Sequence, residues 1–432
     1  MTLRLPLPPA LRHRRYRLLW FGLLVSMTGS GMQTAAVLWH VNKLTGLPIA
    51  LGGVGLVRIL PVLAFSLVAG AAADAFNRRR LLFLTQGALA VLAACLGWLT
   101  LQGRDSLWLI YGIVAASGAI VAFDLPARQA LVPNLLPRQI LANAFSLNSI
   151  AFQVGSIGGP AFAGLVLSRL GIGYAYLVNA ASFLAVIAAL VLMGPVTQER
   201  QNAGGTQEGR LVLAGFVADV REGLRFVARQ PIILSSMILD FFATFFSSAT
   251  TLLPIFAEKI LFVDAIGYGW LVAAPAIGSG AVALFLAFRK NIHRQGTTLL
   301  TSVLGFGLAT IVFGVSRDFW LTFAALVATG ATDGVSMIIR NTIRQLQTPD
   351  HLRGRMTSIN QIFFMGGPQL GELEAGLVAQ WLGAPFAVVS GGFGCLLAVL
   401  WVAARYSPLR RYDGSEPSPA TPLPAAATAG DP

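Results

Sequence analysis

Twelve stretches of about 20 apolar residues, separated by short polar connections, leave this chain few ways to fold. In a hydrocarbon core every backbone N–H and C=O must be satisfied within the chain, so such stretches form membrane-crossing helices. The first six run Leu18–His40, Ile49–Ala73, Leu81–Leu101, Leu107–Ala130, Ala144–Ser168 and Gly173–Met193. The second six run Ile232–Ala257, Ile266–Phe288, Thr297–Val315, Phe319–Ile339, Thr357–Trp381 and Pro385–Ala404. Only 11% of the residues are charged. A soluble domain carries about 25%, so this chain has too few to cover a water-facing surface. The expected fold class is an all-α integral membrane protein of 12 helices.

The net charge of +13 would point to nucleic acid in a soluble protein. Here the basic residues sort by side. With the N-terminus inside, the inner connections hold Arg4, Arg12, Arg14, Arg15 and Arg17, then Arg78–Arg80, Arg128 and Arg138, and further groups around Arg289, Arg340 and Arg405. The outer connections hold only Lys43, Arg104, Arg169, Lys259 and Arg317. This bias predicts both termini in the cytoplasm of a plasma-membrane protein and explains the basicity without nucleic acid. The first apolar stretch exceeds a signal-peptide core in length, so it reads as an uncleaved helix. Cys95 and Cys395 lie inside apolar segments and read as small core residues rather than a disulfide or metal site.

An internal repeat fixes the organisation. Shifting the first half by 212 residues places Arg128, Pro137, Asn148, Ile150, Phe152, Gly155 and Gly159 on Arg340, Pro349, Asn360, Ile362, Phe364, Gly367 and Gly371. Gly164, Leu165, Val166, Leu170 and Gly171 fall on Gly376, Leu377, Val378, Leu382 and Gly383. A parallel duplication of six-helix halves predicts a pseudo-twofold axis along the membrane normal and a cavity between the halves. The expected units are a basic N-terminus (1–17), a first bundle (18–194), a linker (195–230), a second bundle (231–405) and a disordered tail (406–432). Within the linker, Val212–Ala228 has the spacing of an amphipathic helix lying on the inner membrane face.

The turn Gly70-Ala-Ala-Ala-Asp74-Ala-Phe-Asn-Arg78-Arg79-Arg80 joins two spanning segments. Its spacing, Gly-x3-Asp-x3-Arg-Arg, resembles the loop 2–3 signature of major facilitator superfamily transporters. Trp20-Phe21-Gly22, Arg58-Ile-Leu-Pro61, Asp124-Leu-Pro-Ala-Arg128, Glu222-Gly-Leu-Arg225 and Leu239-Asp240 further resemble the drug:H⁺ antiporter-3 branch, of the enterobactin-exporter and macrolide-efflux type. Ala75 and Asn77 depart from the signature, which usually has a basic residue and Gly there. In the second half only Arg289 and Lys290 remain of it. The resemblance implies two pseudo-symmetric six-helix bundles and secondary active export of a siderophore or lipophilic drug by alternating access, with proton antiport.

Ionisable residues within spanning segments are costly to insert, so each is a functional candidate. Asp240, near mid-membrane, reads either as an acid that exchanges protons or as the fixed partner of Arg58 or another cation. Glu372, Glu374 and Asp333 are further proton-coupling candidates. Glu372 and Glu374, two apart, point to different helix faces. Arg58, Phe241 and Phe245 are candidates for the substrate cavity, alongside Trp39 and Phe246. Gly70, Asp74, Arg78, Arg79, Asp124, Arg128 and Arg340 form the expected inner gating network, Asp124 and Arg128 sharing one helix face. His40 reads as a surface residue.

No phosphate-binding Gly-x4-Gly-Lys-Ser/Thr occurs, nor Gly-x-Ser-x-Gly or His-Glu-x-x-His, so neither ATP-driven transport nor hydrolysis is supported. No enzyme activity, cofactor or metal is expected; the expected partners are a small-molecule substrate, protons and the bilayer, with the monomer as the functional unit. Alternatives are a facilitator or uptake permease without proton coupling, or a non-transporting receptor or scaffold. The last gives no reason for Arg58 and Asp240 in helix interiors.

Overall fold

The computed structural model describes residues 7–196, 225–288, 294–349 and 353–414, with side chains throughout except at 67, 70–75, 247, 249, 353–355 and 357–365. Most of the linker helix expected at Val212–Ala228 and the tail beyond Gly414 lie outside the described residues.

The first half comprises α1 (Arg14–Thr45), α2 (Pro48–Ala75), α3 (Arg78–Leu101), α4 (Leu107–Leu131), α5 (Leu141–Arg169) and α6 (Ile172–Met193). The second comprises α7 (Pro231–Ser247), α8 (Ala265–Ala287), α9 (Gln295–Val315), α10 (Phe319–Gln347), α11 (Arg353–Leu382) and α12 (Ala384–Arg405). Among the described residues, eleven spans are long and apolar enough to cross a membrane, and α11, at 30 residues, completes the twelve. Side-chain caps start several of them. Asn77, Ser106, Asp264 and Asp318 accept from the backbone N–H of Arg80, Leu109, Gly267 and Leu321, each satisfying a donor the first helical turn leaves free. At Asn77, a departure from the loop signature is thus a working N-cap, 3.1 Å from the Arg80 nitrogen.

Two boundaries differ from the hydropathy reading. The tenth helix runs on to Gln347 instead of stopping at Ile339, so Arg340 and Arg344 belong to the helix and not to a connection. A cation with carboxylate partners can extend a spanning helix where hydropathy alone ends it. The seventh helix is broken: α7 stops at Ser247, a 3₁₀ turn spans Ala249–Leu252, one helical turn covers Leu253–Ile255, and a π turn follows at Phe256–Ile260. Ser248 Oγ and Thr244 Oγ1 bond back to helix carbonyls there, the local competition that loosens a helix at small hydroxyl residues.

Within each half the helices pack on their own neighbours; across the halves α5 packs on α8 and α2 on α11. These two crossings are related by the repeat. Gly164 lies against Gly269, and Gly376, its counterpart 212 residues on, lies against Gly52. A Cβ on Gly269 would stand 2.5 Å from the Pro160 carbonyl oxygen, so only glycine allows this approach.

The apolar core explains the shape. Its largest cluster lies at the ends of the helices next to the α1–α2 connection. It joins Met32–Val41 and Ala163–Leu167 of the first half to Leu252–Ala257, Ala265–Ala274 and Ala384–Val388 of the second. At the other face, which carries the start of α1 and the end of α12, the buried residues fall into separate clusters, one around Tyr16, Leu82 and Leu190 and another around Leu239, Leu299 and Val399. Among the described residues the halves are sealed together at one face and parted at the other, giving a molecule open on the side where α1 starts and α12 ends. Gly269→Ala is expected to weaken the seal by roughly 1–3 kcal/mol through overpacking. A faster reaction of an introduced Thr251→Cys with an impermeant thiol reagent from the sealed face checks this.

Candidate transport site

A cavity of about 730 Å³ lies between the halves. Its wall is mostly apolar, with hydroxyls from Ser30, Thr34, Ser156, Thr250 and Thr251 and four charged side chains: Arg58, Asp124, Arg128 and Glu372. A recess of about 240 Å³ continues into the first bundle, walled by Gln33, Asn179 and Gln369 and again by Arg58. A third, of about 180 Å³, enters the second bundle beside Asp333.

Glu372 and Arg58 face each other across the two halves. The run Gly52-Gly53-Val54-Gly55 leaves one face of α2 nearly bare, and a Cβ on Gly55 would collide with the Glu372 carboxylate. Arg58, almost one turn further along, brings Nη2 to 3.6 Å from Glu372 Oε1. This is an ion pair at the edge of contact, half-open to the cavity, with the Arg58 and Glu372 side chains 38% and 18% exposed. Such a pair is readily exchanged for another partner. Glu374, on the other face of α11, does not line the described cavities.

Asp124 is buried and fully engaged. It accepts from Arg128, from Thr85 Oγ1 at 2.8 Å and from Gln86 Nε2 at 2.7 Å. The loop arginines are held by helix ends instead: Arg78 donates to Ala130 O and Asn134 Oδ1, and Arg79 to Leu190 O. Carbonyls at helix C-termini attract cations in this way. Of the expected inner network, the structure brings Asp124 and Arg128 together and sets Arg78 beside them on α4; the side chains at Gly70 and Asp74 lie outside the described ones.

The second half holds a different arrangement. Arg340, 3% exposed, pairs with Asp240 of α7 and places Nη2 at 3.2 Å from Asp333 Oδ1. Asp240 is buried and absent from the walls of the described cavities. In this structure the cation beside Asp240 is Arg340 and not Arg58. The repeat relates Arg340 to Arg128, but the position matching Asp124 is Ser336, whose buried Oγ has no hydrogen-bond partner among the described residues. The second half therefore takes one carboxylate from a neighbouring helix, Asp240, and one from α10 itself, Asp333.

At the sealed face, Glu258 on the π turn accepts from Asn42 Nδ2 at 2.8 Å and pairs with Lys43. Thr251 Oγ1 donates to Leu51 O at 3.3 Å, and Tyr268 OH to Ala35 O at 2.9 Å. His40 is not a surface residue. It is buried, 2.6 Å from Asp105 and 3.0 Å from the Tyr176 hydroxyl, because α6 and the α3–α4 connection cover the end of α1. The aromatic candidates also move. Trp39 stacks on Tyr268 within the seal, and Phe241 and Phe245 stack on each other where α7 meets Gly367 and Gly371. None of the three lines the described cavities. The cavity residues Thr250, Thr251 and Gln369 escaped the sequence reading; only the small, hydroxyl-rich run Ser247-Ser248-Ala249-Thr250-Thr251 hinted at the break that carries the first two.

A family model described as transmembrane secretion effector matches residues 6–429. The chain is 28% identical over 383 residues to the multidrug efflux pump Tap of Mycolicibacterium fortuitum, covering 85% of this chain and 89% of that one. It is 25% identical over 417 residues to the enterobactin exporter EntS of Shigella boydii serotype 4, covering 94% and 95%. Among solved structures, a bacterial homologue of the human lysosomal transporter Spinster, inward-facing and unoccupied, matches with a TM-score of 0.69 at 15% identity over 92% of this chain and 96% of that one. An inward-facing bacterial homologue of the iron transporter ferroportin matches with a TM-score of 0.66 at 14% identity over 92% and 99%.

Proposed function

Because the chain belongs to the transmembrane secretion effector family of major facilitator efflux transporters, we propose that it exports a small organic molecule across the bacterial inner membrane in exchange for protons. Both termini face the cytoplasm, so the state described above is open to the cell interior. The observation that carries this reading is the Arg58–Glu372 pair, an ion pair between the two halves set in the wall of a central cavity. A coupling acid has to meet the cavity and change its surroundings as the cavity alternates sides; the place of Glu372 in the cavity wall and across the seam between the halves supports it in that role, whereas Asp240 lines none of the described cavities.

The seal between α2 and α11 at Gly52 and Gly376 must part for the cavity to open outward. That parting draws Arg58 away from Glu372 and exposes the carboxylate to the outside, where a proton replaces the arginine as its partner. On return, Arg58 closes on Glu372 and the proton leaves to the cytoplasm. The proton thus enters with the return step and the cargo leaves with the outward one, which is the condition for exchange. Efflux of a drug or a siderophore, as the names of the relatives describe for those proteins, fits a mostly apolar cavity of this size.

Proteoliposomes holding pyranine test the reading. Adding a cargo from a panel of lipophilic drugs and siderophores is expected to move protons in the opposite direction. Cargo that crosses with no proton movement would establish a facilitator instead.

A further inference from the structure

We infer that the recess in the second bundle binds a protonated amine of the cargo, with Asp333 as its counter-ion. The recess is walled by Thr244 from α7, Ser248 and Thr250 just beyond its end, Thr310 from α9, and Thr329 and Asp333 from α10. Each of these hydroxyls except that of Thr250 gives its single hydrogen to a backbone carbonyl of the turn before it. Thr244 donates to Asp240 O at 2.8 Å, Thr310 to Phe306 O at 2.9 Å and Thr329 to Leu326 O at 2.7 Å, while Ser248 donates to Thr244 O. Apart from the Thr250 hydroxyl at the border with the central cavity, what faces the recess is therefore oxygen lone pairs and a carboxylate. The prolines in its wall, Pro275 and Pro368, add no N–H. A pocket lined chiefly by acceptors favours a group that only donates, and an ammonium is such a group.

Charge points the same way. Two carboxylates, Asp240 and Asp333, share the Arg340 guanidinium. Asp240 is sealed against Arg340, and Arg344, one turn on along α10, acts on Asp240 as well. Asp333 keeps 43% of its side chain open on the recess side. The rings of Phe306 and Phe313 complete the wall and suit a cation electrostatically. Thr250 and Pro275 border both this recess and the central cavity, so an amine seated here leaves the body of the molecule in the larger space. Calling that molecule the cargo rests on the export reading; the amine site itself does not.

The full-length protein in nanodiscs, titrated with dansylcadaverine and with its N-acetylated, uncharged analogue, tests the site by fluorescence. The amine is expected to bind about tenfold more tightly than the analogue, as a charge-assisted contact requires. Asp333→Asn should bring the two to within about twofold, and Thr329→Val, which keeps shape and removes a lone pair, should cut the preference about threefold. Replacing choline chloride by sodium chloride should leave both affinities unchanged. Equal affinity for the two probes, a preference that survives both substitutions in monodisperse protein, or displacement of the amine by millimolar sodium would each overturn the assignment. Amine-selective binding without proton-driven outward movement would instead overturn the export reading and leave the site standing.

Discussion

In the Glu372→Gln protein, export driven by a pH gradient is expected to fall roughly 5- to 150-fold, the range of a typical coupling free energy, while downhill exchange of cargo continues. Glutamine keeps the shape that the bare face of α2 receives at Gly52 and Gly55, so packing across the halves survives. What it loses is the ability to exchange Arg58 for a proton. Arg58 is 38% exposed and borders two water-accessible cavities, so removing its carboxylate leaves it solvated and the fold intact. Measuring both modes in the same proteoliposomes separates the two effects. Coupled export at the wild-type rate would remove Glu372 from the coupling step.

Asp240→Ala should act on stability instead. It leaves Arg340, 3% exposed, without its principal partner, a loss of roughly 3–5 kcal/mol when one member of a buried pair is removed. Asp333, still 3.2 Å from the guanidinium, holds the cost to the lower part of that range. The repeat supplies the rescue. Adding Ser336→Asp to Asp240→Ser places a carboxylate four residues before Arg340, the arrangement Asp124 and Arg128 already have in the first half. Thermal unfolding of the double variant should return toward wild type, and transport should keep its proton dependence. Restored stability with export no longer coupled to protons would make Asp240 itself the proton carrier.

Much of the fold was legible because hydrophobic length and the 212-residue register report directly on spanning helices and on the twofold relation between halves. The register even anticipates the paired glycine crossings at Gly164 and Gly376. The site was legible only in its charges. Arg58, Asp124 and Glu372 stand out because charge in a membrane is costly, and all three line the cavity. Which cation meets which carboxylate was not legible. Asp240 reaches Arg340 across exactly 100 positions of chain, and hydropathy placed Arg340 outside the helix that buries it. Aromatic residues misled for the opposite reason: Trp39, Phe241 and Phe245 are as common in helix packing as in binding, and here they pack. The break after Ser247 was masked by the apolar residues on either side of it.

The two halves are expected to rock, opening at the face sealed by Asn42, Lys43 and Glu258 when they close at the other. Joining Lys43→Cys to Glu258→Cys with a reversible bis-methanethiosulfonate cross-linker, after replacing Cys95 and Cys395 by serine, tests it most directly. The account predicts that cross-linked carrier stops transporting and resumes when a reductant cleaves the link. Transport at an undiminished rate through the cross-linked protein would contradict it.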